Sequence, residues 1–88
     1  MLIKLLAEFL GAMLLVISIL ATGNAIIIGA TLALVITLLG NTSGSHVNPA
    51  VSIAFFLKGD LGLYDLLKYS VAQMLGGAAA FYTVKSFS

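Results

Sequence analysis

The chain has 88 residues, of which 61% are hydrophobic and only 8% are charged, and its mean hydropathy is +1.20. Soluble domains carry about 25% charged residues, so this composition predicts an integral membrane protein with no room for a second, soluble domain. The net charge of +1 without a basic cluster gives no sign of nucleic-acid binding, the absence of cysteine excludes disulfide bonds, and one histidine with three scattered acids is too little for a metal site.

The first predicted element is an apolar helix from about residue 2 to residue 22. About 20 apolar residues cross the hydrocarbon core as a helix, so this segment is predicted to span the membrane. Lys4 followed by the apolar run also resembles a secretory signal peptide. However, the run is longer than the apolar core of such a signal, about 7–15 residues, and it contains Glu8. We therefore expect an uncleaved first span.

The second predicted element runs from about residue 25 to residue 39 and is short for a span. Gly23 and Asn24 are expected to form the tight turn before it. The segment from Gly40 to Gly44, which is rich in glycine and polar residues, is expected to break the helix.

A polar loop that contains proline, Ser43 to Ala50, then lies between apolar runs. Backbone at membrane depth survives only when it is buried in protein or lines a wet cavity, so the loop is predicted to be part of a pore. Asn48 is a favoured helix cap and Pro49 a favoured first helical residue, which predicts a helix over residues 49–57. Such a helix reaches about 13 Å, half of the bilayer core, so it is predicted to be a re-entrant half-helix.

The third span is predicted over about residues 63–84. Three crossings place the two termini on opposite sides of the membrane. Lys4, Lys58 and Lys68 then share the N-terminal side and only Lys85 lies on the other, so the positive-inside rule predicts a cytoplasmic N-terminus. The predicted fold is therefore an all-α membrane protein of three transmembrane helices and one re-entrant half-helix, forming a single unit over residues 1–88.

Asn48 carries the candidate chemistry of the loop because its side-chain amide offers two donors. The half-helix behind it directs its positive dipole end toward the membrane centre. Donors and a positive end favour the oxygen of water and repel cations and hydrated protons, which predicts a filter for neutral solutes. The alternative, that Asn48 and Pro49 only cap a helix, is disfavoured by their position between membrane spans.

Residues along essentially the whole chain resemble one half of a channel of the aquaporin and glycerol-channel family. The matching residues lie in the first helix (Ala7-Glu8-Phe9-Leu10-Gly11), in the first pore loop (Gly40, Ser43-Gly44, His46, Asn48-Pro49-Ala50) and in the third helix (Ala72-Gln73, Gly76). The resemblance implies two such repeats inserted in opposite directions, with half-helices that meet end to end at the midplane.

The resemblance also implies roles for residues around the loop. The family residue that matches Glu8 is a buried brace that accepts hydrogen bonds near the pore loop, and we expect this role in preference to a proton relay. His46 belongs to the pore segment with Asn48-Pro49-Ala50 and is expected to be a buried scaffold of the loop, with a gate as the minority alternative. Gln73 is expected to brace or pack because an amide inside a span needs partners, and Gly44 is expected to support the loop.

Two departures from the family pattern concern selectivity. The constriction residue of the second span falls at Ile28, where water-selective relatives usually carry an aromatic residue or a histidine, so a more apolar and wider lining is expected. In the second repeats of this family, the filter arginine directly follows Asn-Pro-Ala. Here Val51 stands in that place after Ala50, and all four basic residues of the chain are lysines. The arginine of the filter must therefore come from another repeat.

The sequence therefore predicts a passive channel for water or small neutral solutes, with glycerol among them, formed only after pairing with an inverted repeat. One repeat cannot enclose a pore because the lining of such folds lies at the repeat interface, and the chain stops at Ser88, where a linker to a second repeat is expected. The partner is expected to cover the Asn48 amide and the N–H groups of the first turn of the half-helix. As this partner, a separately encoded half is favoured over an inverted copy of the chain. The paired halves are expected to lie in the lipid bilayer and to assemble into a higher oligomer of pores.

The alternatives are a small three-span protein that assembles in the bilayer, such as a phage holin, and a truncated channel half that does not conduct. The holin-like alternative explains the size and hydropathy of the chain but not Asn48-Pro49-Ala50. No pair of nucleophile and base, no metal-ligand set and no cofactor motif is present, so neither enzymatic activity nor a cofactor is expected.

Overall fold

The computed structural model describes residues 1–88 and contains four α-helices and no strand. The helices are α1 (Leu2–Thr22), α2 (Ala25–Ser43), α3 (Pro49–Lys58) and α4 (Leu63–Ser86). Helix α1 packs against α4 and α2, while α3 packs against α4 and makes no contact with α2. The molecule extends over 40 × 23 × 20 Å. Its long dimension therefore matches a bilayer with its headgroups, about 40–45 Å.

Two of the helices, α1 and α2, are long and apolar enough to cross a membrane. The 21 residues of α1 reach about 31 Å, close to the thickness of the hydrocarbon core. Helix α4 is longer, with 24 residues, but less apolar, because it contains Asp65, Lys68, Gln73 and Lys85. The structure thus contains two candidate spans where the sequence predicted three.

Close contact between α1 and α4 depends on small residues. A Cβ atom at Gly76 would lie 2.5 Å from the carbonyl oxygen of Phe9 and 3.1 Å from the Cβ of Ala12. Ala72 and Ala80 on α4 are buried as well. Because nothing larger than glycine fits at position 76, the two backbones approach closely, and this approach brings polar groups of α4 within reach of α1.

Helix α2 does not end near residue 39, as the sequence predicted, but continues to Ser43. The helix ends at Gly44, which has φ 88° and whose N–H donates to the carbonyl oxygen of Gly40. A glycine inside a helix costs only about 1 kcal/mol relative to alanine, so Gly40 does not break it. A glycine in the left-handed conformation does end a helix, and of Gly40 and Gly44 only Gly44 adopts it.

Helix α1 ends at Thr22 as predicted, whereas α3 and α4 extend one or two residues beyond their predicted ends. Helix α3 begins at Pro49 and ends at Lys58, one residue beyond the predicted end, and α4 ends at Ser86, two residues beyond. Asn48 caps α3, and Gly59 with φ 96° closes it. The tight turn between α1 and α2 is made by Gly23 and Asn24, and the Asn24 side chain accepts two backbone N–H groups of α2.

Candidate functional site

The loop of residues 44–48 joins α2 to α3 and holds an unusual backbone. Ser45 and Val47 adopt φ values of 50° and 51°, in the left-handed region. This conformation costs a residue with a side chain about 1–2 kcal/mol. It persists only where the surroundings determine it, and Ser45, His46 and Val47 are all buried.

Glu8 on α1 supplies that surrounding structure. Its side chain is fully buried, and its carboxylate accepts four hydrogen bonds, two at each oxygen. Oε2 accepts from the hydroxyl of Ser43 and from the backbone N–H of His46 at 3.2 Å. Oε1 accepts from the backbone N–H of Val47 and from Nε2 of Gln73, both at 2.8 Å. The carboxylate is therefore compensated by donors, and it ties the loop to α1 and α4 at once.

Ser52 and Tyr69 belong to the same network, although neither was a candidate in the sequence. Ser52 Oγ lies 2.9 Å from Nε2 of Gln73 and 2.9 Å from Nδ1 of His46. The Tyr69 hydroxyl donates to the carbonyl oxygen of Ser43 at 2.7 Å. A signal was present in each case. Ser52 is the one polar residue of α3 before the terminal Lys58, and Tyr69 lies one turn before Gln73 on α4, where residues four apart share a face.

The His46 ring is held from several sides. It stacks on Phe55 of α3, with ring centroids 4.4 Å apart and planes 8° from parallel. The Tyr69 ring lies at 5.2 Å in a tilted arrangement, and a Cβ on Gly44 would approach His46 Nε2 to 3.1 Å. The structure thus brings together His46, Gly44, Glu8 and Gln73, which the sequence proposed separately.

Asn48 ends the loop and uses its side chain as the cap of α3. Oδ1 accepts from the N–H of Ala50 at 2.8 Å, and the backbone carbonyl accepts from the N–H groups of Val51 and Ser52 at 3.0 and 3.1 Å. The sequence-based expectation that the first-turn N–H groups of this helix face a partner is therefore wrong, because the cap already satisfies them. The Nδ2 amide group has no partner within the chain, and Asn48 and Ala50 are exposed beside the half-buried Pro49.

Ile28 does not join this site. It lies half-buried in the first turn of α2, whereas the loop follows the last turn of that helix. The structure therefore places Ile28 at the opposite end of α2 from His46 and Asn48.

A polar cavity of about 360 Å³ lies behind the loop, on the side where α1 begins. Its polar lining comes from all parts of the fold and includes Lys4, Thr42, His46, Asp60, Asp65 and Tyr69. No group of three His, Cys, Asp or Glu side chains is arranged to hold a metal ion. Two buried polar atoms near the loop have no hydrogen-bond partner, namely Oγ of Ser45 and Oε1 of Gln73.

Comparison with known proteins gives one family. The family model described as major intrinsic protein matches residues 1–88. Glycerol uptake facilitator protein-like 6 of Lactiplantibacillus plantarum is 38% identical over 93 residues, which cover 96% of this chain and 43% of that protein. Aquaglyceroporin AqpS of Rhizobium meliloti is 46% identical over 56 residues, covering 64% of this chain and 24% of its own length. Aquaporin NIP1-1 of Arabidopsis thaliana is 37% identical over 96 residues, covering 93% and 32%. The chain therefore spans less than half the length of each of these relatives.

Proposed function

The chain belongs to the major intrinsic protein family, and from this premise we propose that it forms one half of a passive channel for water or small neutral solutes. In this proposal α1, α2 and α4 cross the bilayer and α3 enters it only halfway. The 24 residues of α4 reach about 36 Å, enough to cross despite their lower hydropathy. Large apolar side chains are exposed on all four helices, as a lipid-facing surface requires.

The Asn48 cap is the observation that carries the proposal. Because Oδ1 is engaged by the N–H of Ala50, the amide cannot turn over without losing the cap, and Nδ2 remains the free end. Two donors at the positive end of a helix dipole attract the oxygen of water or of a hydroxyl group. The same field repels cations and hydrated protons, so a path past Asn48 would pass neutral solutes.

The backbone of the loop gives a second line of support. No hydrogen bond within the chain reaches the carbonyl oxygens of residues 44–47. Polar backbone at membrane depth must find partners in protein or in a water-filled cavity. Water moving along the loop toward Asn48 would supply the missing donors.

The proposal requires a second, inverted repeat. One repeat cannot enclose a pore, and the exposed Asn48 amide would cost several kcal/mol if it faced lipid. The two-repeat arrangement of the family supplies such a partner, which is either a separate segment or an inverted copy of this chain. The distribution of lysine favours a cytoplasmic N-terminus, because Lys4, Lys58 and Lys68 lie on one side of the membrane and only Lys85 on the other. A single orientation in turn favours a separate second half over an inverted copy. We expect several such pores to assemble and no enzymatic activity.

Small uncharged solutes such as glycerol belong to the proposed range. Ile28 stands where the family resemblance locates the constriction, and an aliphatic side chain leaves a wider and more apolar lining than an aromatic one. The names of two relatives, a glycerol uptake facilitator and an aquaglyceroporin, support the same range.

Vesicle measurements test the proposal. The chain is reconstituted into proteoliposomes in both orientations, alone and together with the part of the L. plantarum relative that lies outside the matched region. Osmotic shrinkage is followed beside a pH-sensitive dye inside the vesicles. The proposal predicts water flux above that of empty vesicles and no added proton flux in at least one preparation. Flux no faster than in empty vesicles in both preparations would contradict it.

A further inference from the structure

We propose that Ser52 is a positioning residue that fixes neutral His46 as the Nε2–H tautomer and thereby presents a hydrogen-bond donor to the polar cavity behind the loop. The inference concerns hydrogen bonds inside the chain and does not depend on the proposed channel. It follows from a chain of four side chains, Glu8, Gln73, Ser52 and His46, in which each group determines the orientation of the next.

Glu8 determines the orientation of the Gln73 amide. A carboxylate only accepts hydrogen bonds, so the group that lies 2.8 Å from Oε1 of Glu8 must be the NH₂ of Gln73 and not its carbonyl. The reverse orientation would set two acceptors against each other. Because Nε2 has two hydrogens, it also donates to Ser52 Oγ at 2.9 Å.

Gln73 in turn determines the direction of the Ser52 hydroxyl. Ser52 Oγ accepts from Gln73 and has one hydrogen of its own to donate. Its only other hydrogen-bond partner is Nδ1 of His46, at 2.9 Å. The hydroxyl therefore donates to Nδ1, which must carry a lone pair, and in the neutral ring the proton then resides on Nε2.

The opposite tautomer leaves a buried group unsatisfied. With a proton on Nδ1, Ser52 Oγ would receive two donors, and its own hydrogen would have no acceptor. Ser52 is 0% exposed, so water cannot supply one. An unsatisfied buried hydroxyl is costly enough to favour the Nε2–H tautomer by about tenfold or more.

The donor at Nε2 faces the cavity. His46 is 8% exposed, lines the cavity, and makes no hydrogen bond through Nε2. Oxygen acceptors line the same space, among them Asp60 in the turn before α4 and Asp65 on α4. A protonated nitrogen has no lone pair for a metal ion. The ligand that suits this position is therefore an oxygen acceptor, such as water or a carboxylate, and not a metal cation.

Nitrogen NMR tests the assignment directly because the chain has a single histidine. The full chain is labelled with ¹⁵N-histidine and reconstituted in lipid. The spectrum is recorded at a pH well above the usual titration range of histidine, where the ring is neutral. We expect a protonated Nε2 and an unprotonated, hydrogen-bonded Nδ1. A protonated Nδ1, or an even mixture of the two tautomers, would overturn the proposal without any variant.

Variants separate the role of Ser52 from a general effect on folding. Ser52→Ala removes the donor to Nδ1 and is expected to lower the ratio of the Nε2–H to the Nδ1–H tautomer by about tenfold or more. Ser52→Thr keeps a hydroxyl at this position and is expected to keep the native ratio. Ser18→Ala is the matched control, because Ser18 is also buried but its hydroxyl donates only to the carbonyl oxygen of Leu15 in its own helix. An unchanged ratio in folded Ser52→Ala, or an equal change in Ser18→Ala, would overturn the role of Ser52.

Discussion

Replacing Glu8 with glutamine tests most sharply how the loop is held. The substitution keeps the size of the side chain and turns one of the two carboxylate oxygens into an NH₂ group. In the native chain, Oε1 accepts from the N–H of Val47 and from Nε2 of Gln73, and Oε2 accepts from the hydroxyl of Ser43 and from the N–H of His46. Either orientation of the new amide therefore sets its NH₂ against one backbone N–H of the loop, that of Val47 or that of His46. A second donor, Gln73 Nε2, loses its acceptor only when the NH₂ replaces Oε1, because the Ser43 hydroxyl beside Oε2 can turn and accept instead.

The cost can be worked from these contacts. Each buried donor left without an acceptor costs about 1–3 kcal/mol, so the loss is about 1–3 kcal/mol with one such donor and about 2–6 kcal/mol with two. Proteins are stable by only about 5–15 kcal/mol in total. We therefore expect Glu8→Gln to lose a large part of the free energy of unfolding, with the strained residues Ser45 and Val47 released first.

The free energy of unfolding is measured by titration with sodium dodecyl sulfate in mixed micelles, followed by circular dichroism. Asp60→Asn is the matched control, because it removes the same charge from a half-exposed carboxylate paired only with Lys58 at 3.1 Å. The control is expected to change stability by about 1 kcal/mol or less. Equal losses in Glu8→Gln and Asp60→Asn would refute the reasoning.

A double variant separates the loop contacts from the Glu8–Gln73 pair. Glu8→Gln combined with Gln73→Glu restores one carboxylate and one amide but leaves one of the two loop N–H groups without its acceptor. We expect at most partial rescue of stability, because the pair between positions 8 and 73 is restored while one loop N–H still faces an NH₂ group. Full rescue would show that only the side-chain pair matters.

Three further predictions concern packing, selectivity and orientation. Gly76→Ala sets a Cβ against the carbonyl of Phe9 and is expected to lower stability by about 1–3 kcal/mol in the same titration, whereas Gly77→Ala meets open space, and equal effects would contradict the packing. Ile28→Phe is expected to slow glycerol flux more than water flux in stopped-flow measurements on vesicles, and equal slowing would count against Ile28 as a filter residue. Single cysteines near either terminus, labelled on intact cells with an impermeant maleimide, are expected to react only near the C-terminus. Partial labelling at both ends would instead indicate insertion in two orientations.

Local patterns in the sequence predicted most of the helices. Apolar runs predicted α1 and α2, and the Asn48-Pro49 pair predicted the start of α3, because capping preferences act within a few residues. The predicted end of α2 was wrong because the sequence offers two glycines, Gly40 and Gly44, at which the helix could end. Only the left-handed backbone of Gly44 in the structure identifies it as the one that ends the helix. By length and hydropathy only α1 and α2 qualify as membrane spans, so the crossing by α4 stays a proposal.

The site was predicted in its residues but not in its connections. Glu8 and Gln73 stand 65 positions apart, and their contact depends on the approach of α1 and α4 at Gly76. Ser52 and Tyr69 carry no motif of their own, so their role appears only when α3 and α4 pack around the loop. The free Nδ2 of Asn48 likewise follows from the direction of the cap, which sequence patterns do not specify.

The claim that a solute passes the Asn48 end of α3 is tested most directly by blocking that position. The chain has no cysteine, so Ala50→Cys gives a single exposed thiol next to Asn48. Leu57→Cys, at a residue that is 76% exposed near the other end of α3, is the matched control. A small thiol reagent is predicted to stop water flux in vesicles that carry Ala50→Cys and to leave flux unchanged with Leu57→Cys. Unchanged flux through fully labelled Ala50→Cys would contradict the claim.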